Sequence, residues 1–340
     1  MRYRRFICVL LACFWICACP FLAIADIEIH YLNVGQGDCA IVCCDGEAMI
    51  IDGGRPEQSR FVYAYLRNTL GIEHLKYMVA THPDTDHIGG LSAALNACTV
   101  GAIYASDTLC DTQAHQSLLK YAAQQGLSPI PPCAGDTDAL GGAEIAYLAP
   151  VGSYADENNA SIVLKITYGY TSFLFTGDIE AEAEADILHG DTDVSATVLK
   201  VAHHGSDTSS TDAFLQAVQP QYAIISVGDN AYGHPAVQAL SRLRAMGAAI
   251  YRTDANGTII CRSDGNSISF VCEKNEGAAA IPTEPVNTAA APYIGNRNSR
   301  KLHYADCPSV ESMKEKNKVS FQRRDDAISA GYVPCKRCNP

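Results

Sequence analysis

The feature that most constrains this chain is a pattern repeated four times: a short apolar segment, strand-like in composition, ending abruptly in histidine or aspartate. Tyr77–Ala80 runs into Thr81-His82-Pro83-Asp84-Thr85-Asp86-His87, and Phe173-Leu174-Phe175-Thr176 runs into Gly177-Asp178. Leu199-Lys200-Val201-Ala202 stops at His203-His204-Gly205-Ser206, and Ile224-Ile225-Ser226-Val227-Gly228 leads to Asn230 and then Gly233-His234-Pro235. Strands must pair, and polar groups at their ends converge only if those ends share one edge of the sheets. A helix-only bundle is excluded.

Helical periodicity fills the gaps. Gln58–Leu70, Ala114–Gln125, Ile179–Leu188, Asp212–Val218 and Ala236–Met246 read as helices, and another is expected from near His87 through Leu91–Asn96. Further strands are expected at Ile27–Asn33, Ala48–Asp52, Ala102–Ala105, Ile162–Thr167, Ala196–Ala202, Ala249–Tyr251, Gly257–Arg262 and Ser267–Cys272, with Gly35-Gln36-Gly37-Asp38 as a turn. The class is α/β, with sheet layers covered by helices.

Residues 1–25 read as a signal peptide. Arg2, Arg4 and Arg5 precede an uncharged run that closes on Ala23-Ile24-Ala25, a small-x-small cleavage signal. An uncleaved anchor over Phe6 to Ala25 and a lipid-modified Cys19 are the alternatives, and all three place the remainder outside the cytoplasm as a secreted or cell-surface protein. With cleavage no stable membrane span remains. The chain then divides into a body over residues 26–273, a linker over 274–292 rich in Ala, Pro and Thr, and a tail over 293–340. Charge follows the same division. The stretch 26–292 carries 12 Lys+Arg against 32 Asp+Glu, whereas the tail carries 10 basic and 5 acidic residues. An acidic body repels a phosphate backbone and a basic tail attracts one. Of 15 cysteines, eight lie in the body, where an oxidising compartment would pair some of them.

Two imidazoles and two carboxylates within His82–His87 suit zinc, manganese or iron. A tight turn after a strand lets His82 and Asp84 face one point while Asp86 and His87 face a second. Asp178 stands where a carboxylate bridging two cations would sit.

Taken in order, Val34-Gly35-Gln36-Gly37-Asp38, Ile51-Asp52-Gly53-Gly54, His82–His87 with Ile88-Gly89-Gly90, Thr176-Gly177-Asp178, Lys200–Ser206 and Tyr232–Pro235 resemble the metallo-β-lactamase fold, and within it the extracellular hydrolase-like domain of the ComEC competence proteins. The likeness spans roughly Asp26–Val271 and implies an αββα sandwich with two divalent metal ions, zinc or manganese, at one edge. It implies His82 and Asp84 on the first metal, Asp86 and His87 on the second, Asp178 between them and His203 completing the second site. His204 and His234 are ligands, phosphate contacts or general acids by the same likeness, Asp86 is a candidate proton acceptor, and Asp52 orients the ligand loop. Where many relatives have a further histidine, Glu157-Asn158-Asn159-Ala160-Ser161 has none, leaving Asn158 to stand in.

The tail carries a second signal. His303-x3-Cys307 and Cys335-x2-Cys338 are spaced as four ligands of one structural zinc. With Tyr293–Asn296 and Gly331–Pro334 they resemble the zinc-binding module of the Ada alkylation-repair protein. His303 stands where that module has its methyl-accepting cysteine, so zinc-held structure and DNA contact carry over and methyl transfer does not. A Cys335–Cys338 or Cys307–Cys338 disulfide is the competing reading.

These readings converge on a secreted metal-dependent hydrolase, a phosphodiesterase or nuclease acting on DNA with the basic tail as docking element. A hydrolase of a small or surface-bound phosphoester, of phosphocholine or nucleotide type, is the first rival. The departures at Asp84 and Asn158 point away from β-lactam hydrolysis. A non-catalytic surface binding protein with a decayed site is the other rival, opposed by the intact ligand set.

Overall fold

The computed structural model describes residues 26–108, 110–190, 192–274, 293–305, 307–321 and 324–338. The expected signal peptide and linker lie outside the described residues, apart from Lys274.

The body is built from fourteen strands: β1 (Ile27–Tyr31), β2 (Ala40–Cys44), β3 (Glu47–Ile51), β4 (His74–Ala80), β5 (Thr99–Ala105), β6 (Thr137–Leu140), β7 (Ala143–Ala149), β8 (Val163–Tyr168), β9 (Thr171–Phe175), β10 (Val198–Lys200), β11 (Tyr222–Ile225), β12 (Ala249–Arg252), β13 (Ile259–Ser263) and β14 (Ile268–Cys272). They form two seven-stranded sheets, ordered β14-β13-β1-β2-β3-β4-β5 and β12-β11-β10-β9-β8-β7-β6. Helices α1 (Ser59–Ala64), α2 (Thr85–Ile88), α3 (Leu91–Ala97) and α4 (Gln113–Gln124) follow strands of the first sheet, and α5 (Ala181–His189), α6 (Asp212–Val218) and α7 (Val237–Ala245) follow strands of the second.

Side-chain alternation explains why the sheets stack. In β2, Ala40, Val42 and Cys44 belong to the core between the sheets, while Ile41 belongs to an outer core with Val62, Leu91 and Leu95. In β9, Phe173 and Phe175 point to the central core and Leu174 to the other outer core, with Ala183, Ile187, Phe214 and Leu243. Strands apolar on both faces require cover on both faces, and the result is the expected αββα sandwich.

The sequence did not reveal the β6–β7 hairpin, whose first strand is half polar. The helix expected to run through from His87 is broken, with α2 ending at Ile88 and α3 starting at Leu91. The strand expected over Ala196–Ala202 contracts to Val198–Lys200. The expected pairing of body cysteines is also not found. All eight are free thiols, and Cys39, Cys44, Cys98, Cys261 and Cys272 are buried as core residues. No helix among the described residues is long and apolar enough to cross a membrane.

The tail forms a separate four-stranded sheet, β17-β15-β16-β18, from β15 (Tyr293–Asn296), β16 (Lys301–Tyr304), β17 (Lys318–Phe321) and β18 (Val333–Pro334). Among the described residues its apolar clusters are small: Leu302, Ala327 and Tyr332 in one, Cys307, Val310 and Met313 in another.

Candidate metal centre

Strands β3 and β4 are parallel, and so are β9, β10 and β11. Within each set the carboxyl ends therefore lie at one edge, where the chain turns into loops free to present polar groups. Backbone packing sets the loop positions. Gly53 N–H donates to the His87 carbonyl, Gly90 N–H donates to the Gly54 carbonyl at 2.9 Å, and a side chain at Gly53 would collide with the backbone of Gly90 and Leu91. That close approach breaks the α2–α3 helix and fixes the ligand turn against the end of β3.

Asp52 orients that turn as expected. Its Oδ1 accepts the Thr81 N–H at 2.9 Å, and its Oδ2 accepts the Thr81 hydroxyl at 2.7 Å and His87 Nδ1 at 2.9 Å. With Nδ1 donating to a carboxylate, His87 Nε2 is left as a lone-pair donor aimed at the cleft. His82 is arranged in the same way. Its Nδ1 lies 3.1 Å from the Thr81 hydroxyl, while its buried Nε2 has no hydrogen-bond partner and faces Asp84 Oδ2 at 3.7 Å and Asp178 Oδ2 at 3.9 Å.

The other sheet supplies the opposing wall. Asp178, after β9, has Oδ2 3.2 Å from His87 Nε2 and 3.3 Å from His204 Nε2, and its buried Oδ1 has no hydrogen-bond partner. His204 Nδ1 donates to the Ser226 carbonyl at 2.9 Å, so its Nε2 is also a free lone pair, 3.6 Å from Asp86 Oδ2. His87 Nε2 and His204 Nε2 face each other at 3.3 Å. Facing lone pairs beside a buried carboxylate repel unless a positive charge lies between them.

Protonation directions carry the same message. Burial pushes the pKa of His87 down, yet Asp178 and Asp52 outweigh it and hold it well above its ordinary value. Burial acts likewise on His204, and Asp178 with Asp38 and Asp86 reverses it. Burial would raise Asp178, but the two imidazoles bring it well below the usual carboxylate range. The nest demands cationic charge, and its nitrogen and oxygen donors fit a divalent metal. The ligand atoms of Asp38, His87, Asp178 and His204 all lie within 4.8 Å of one another.

The structure brings together His82, Asp84, Asp86, His87 and Asp178. It corrects the assignment of His203. Both His203 and His204 adopt left-handed backbone conformations, with φ of 49° and 52°, and this turn sends His204 into the cluster. His203 points instead to Glu180, with Nδ1 3.1 Å from Oε1, and its ring lies 5.3 Å from that of His234. His234 sits at the rim, outside the convergent group, its pKa lowered by burial and by His203. Asn158 makes no side-chain hydrogen bond among the described residues. The neighbouring Asn159 Oδ1 accepts the Glu180 N–H at the start of α5, and Ser161 Oγ accepts the Asp178 N–H.

Asp38 and Lys200, seen in the sequence only as parts of motifs, take a role that the sequence did not assign. Lys200, at the end of β10, is buried and ion-paired to Asp38 Oδ2 at 2.6 Å, and Asp38 Oδ1 lies 3.3 Å from His204 Nδ1. Burial alone would raise the Asp38 carboxyl, but Lys200, joined by His204 and His87, outweighs it and holds the pKa at about 2. The only available signal was a lysine interrupting an apolar strand next to two histidines.

The tail holds a second cluster. His303, Cys307, Cys335 and Cys338 place their ligand atoms within 4.8 Å of one another. His303 lies on β16, Cys335 directly follows β18, and the three thiols are free, so neither disulfide considered from the sequence is formed. Burial raises Cys335, but the backbone N–H groups of Arg337 and Cys338 bring its thiol below the ordinary value. Burial and the sulfur of Cys307 push Cys338 up to about 12. Crowded thiols over amide donors fit a zinc ion.

A two-sheet sandwich with histidines and aspartates gathered at the carboxyl ends of its strands defines a metal-dependent hydrolase scaffold. This chain belongs to the metallo-beta-lactamase superfamily, which residues 32–229 match. Residues 286–340 match the metal binding domain of Ada. The chain is 32% identical to ComE operon protein 3 of Bacillus subtilis over 251 residues, covering 68% of this chain and 32% of that protein. It is 31% identical to Competence protein ComA of Neisseria gonorrhoeae over 231 residues, covering 67% of this chain and 31% of that protein. It thus spans about a third of the length of these curated relatives. Among solved structures, the metallo-beta-lactamase fold protein YhfI from Bacillus subtilis aligns with a TM-score of 0.48 at 11% identity, covering 70% of this chain and all of that one.

Proposed function

We propose that this chain is an exported phosphodiesterase that cleaves DNA, carrying two divalent ions, zinc or manganese, in the body and one structural zinc in the tail. The observation that supports it most is the pair of lone-pair clusters meeting at Asp178. On one side are His82 Nε2 and the Asp84 carboxylate, and on the other are Asp86, His87 Nε2 and His204 Nε2. Two divalent cations, if held by these residues, would lower the pKa of a bound water and offset charge developing on phosphoryl oxygens. Asp178, which faces both groups, would help to hold both ions. Asp52 and the Ser226 carbonyl fix the imidazole orientations, Asp86 is placed to accept the nucleophile's proton, and His203 and His234 line the rim where the phosphate enters. DNA is favoured by a relative named as a competence protein and by the tail's 10 basic against 5 acidic residues.

A small phosphoester is the second reading, favoured by the 32 acidic against 12 basic residues of the stretch 26–292. Metal analysis of purified protein alongside a panel of phosphodiester, phosphomonoester and lactam substrates separates the two. Phosphodiester turnover, highest on DNA, is expected, whereas turnover confined to monoesters or lactams would overturn the reading. Sequencing the N-terminus of exported protein tests the location, with Asp26 as the expected first residue.

A further inference from the structure

We propose that Tyr232 is a stacking platform for a nucleobase of the substrate strand, a binding residue on the rim beside His234. The inference rests on the nucleic-acid reading above and adds a contact to it. Tyr232 is 70% exposed although it stands only two residues from His234. Its ring centroid lies 5.8 Å from that of His234, tilted by 34°. His234 in turn lies 5.3 Å from His203, and His203 lies 6.2 Å from His204 in the cluster. Four rings thus lead from solvent to the metal centre, and the outermost keeps an open face.

The exposure of that ring is built in by its loop. Asn230 Oδ1 accepts the N–H groups of Tyr232, Gly233 and His234 at 3.0–3.1 Å, and its Nδ2 donates to the carbonyls of Gly228 and His234 at 2.8 Å each. One amide side chain therefore pins the whole turn. A large apolar face left in water gains nothing for folding, and with its backbone pinned only the ring's own torsions remain to be ordered when a flat partner covers it. Tyr170 is still more exposed, at 89%, but it precedes β9 whereas Asp178 follows it, at the far end of that strand from the cluster. Bases are the planar groups that flank a phosphodiester, and every base offers a face for stacking.

The test uses the full metal-loaded chain with single-stranded oligonucleotides of natural bases and with the same length built from abasic residues. Turnover is measured on both, and affinity is measured separately on the same metal-loaded chain with non-cleavable phosphorothioate versions of the strands. Tyr232→Ala should raise KM and Kd on the base-containing strand roughly tenfold, within the range base stacking gives, and leave kcat and the abasic strand unchanged. Tyr232→Phe should match the parent protein, and Tyr232→Trp should bind as tightly or more so. An unchanged KM in Tyr232→Ala, an equal loss on the abasic strand, or a Tyr232→Phe defect as large as that of alanine would each overturn the platform. If the parent cleaves both strands and ignores the alanine change, the phosphodiesterase reading stands and the platform falls. If it neither binds nor cleaves any oligonucleotide, both fall.

Discussion

The two metal clusters of this chain relate to their surroundings in opposite ways. In the body, the ligands occupy loop positions at the edge of a scaffold with three apolar cores, in which whole side chains such as Tyr31, Tyr147, Phe173 and Phe214 are fully buried. In the tail, the buried apolar set is so small that a ligand, Cys307, is itself part of it. A scaffold with ample burial can support left-handed histidines and facing lone pairs, because stability comes from elsewhere. A few buried residues, each contributing about 1.5–3 kcal/mol, cannot order a tail of this length without a further tie. In the body the fold makes the site, and in the tail the site makes the fold.

The largest expected effect follows from that contrast. Stripping metal from the full chain should unfold the tail and leave the body folded, since structural zinc contributes about 10–16 kcal/mol to small modules. Hydrogen exchange should report loss of protection in β15 to β18 with protection retained in β1 to β14, and Cys338→Ser should do the same without chelator. A tail that keeps its protection after chelation would erase the distinction.

The converse applies to Asp178→Ala, which should remove about a thousandfold or more of the hydrolysis, the several kcal/mol that paired cations supply, while thermal unfolding of the body barely moves. Retention of both activity and full metal content would refute the bridging role.

Lys200 probes the scaffold itself. Replacing it with Met leaves the buried Asp38 carboxylate unpaired and should cost about 3–5 kcal/mol, and Asp38→Leu added to it should restore most of that. The pair also has a pH signature. The Asp38 pKa of about 2 lies below its ordinary 3.8, so the contribution is complete above roughly pH 4 and is lost as pH falls toward 2. Acid unfolding of the metal-free parent should steepen in that window, and the step should shrink in the Lys200→Met variant, where His204 and His87 alone still lower Asp38.

How much of this was legible in the sequence depends on the range of the forces involved. Strand alternation and the ligand turn His82–His87 are local, and they were readable. The β6–β7 hairpin was not, because Thr137-Asp138-Ala139-Leu140 carries little apolar pattern and is held by pairing across the sheet. Adjacent His203 and His204 could not be told apart, because their directions depend on a left-handed turn anchored by the Ser226 and Gly177 carbonyls. The Asp38–Lys200 pair joins residues from opposite sheets, and no spacing rule reaches that far.

A smaller effect separates the ligands from what orients them. Asp52→Asn keeps the shape of the side chain but weakens its hold on His87 Nδ1. Metal affinity should fall about 10–100-fold, with about 1–3 kcal/mol lost from the body where a buried hydrogen bond goes unmade and tail structure unaffected. A loss as complete as that from Asp178→Ala would make Asp52 a ligand rather than a support.

The smallest effect is sought by deleting residues 293–340. If the tail is a docking element and the body a complete site, turnover of a small phosphodiester should stay within about twofold of the parent, because no proposed body ligand comes from the tail. Binding to DNA should weaken, and its salt dependence should flatten in proportion to the number of phosphates the tail neutralises. Each neutralised phosphate contributes roughly 0.7 to the log–log slope on single strands and about 0.9 on duplex. The tail's excess of 10 basic over 5 acidic residues gives a sense of scale, a slope change of a few units at most. Because that term is electrostatic, the difference between full chain and deletion should be widest in dilute salt and close as salt screens the charges. Equal losses on DNA and on the small substrate would mean that the tail supports the body's site, and the two regions would then no longer be independent.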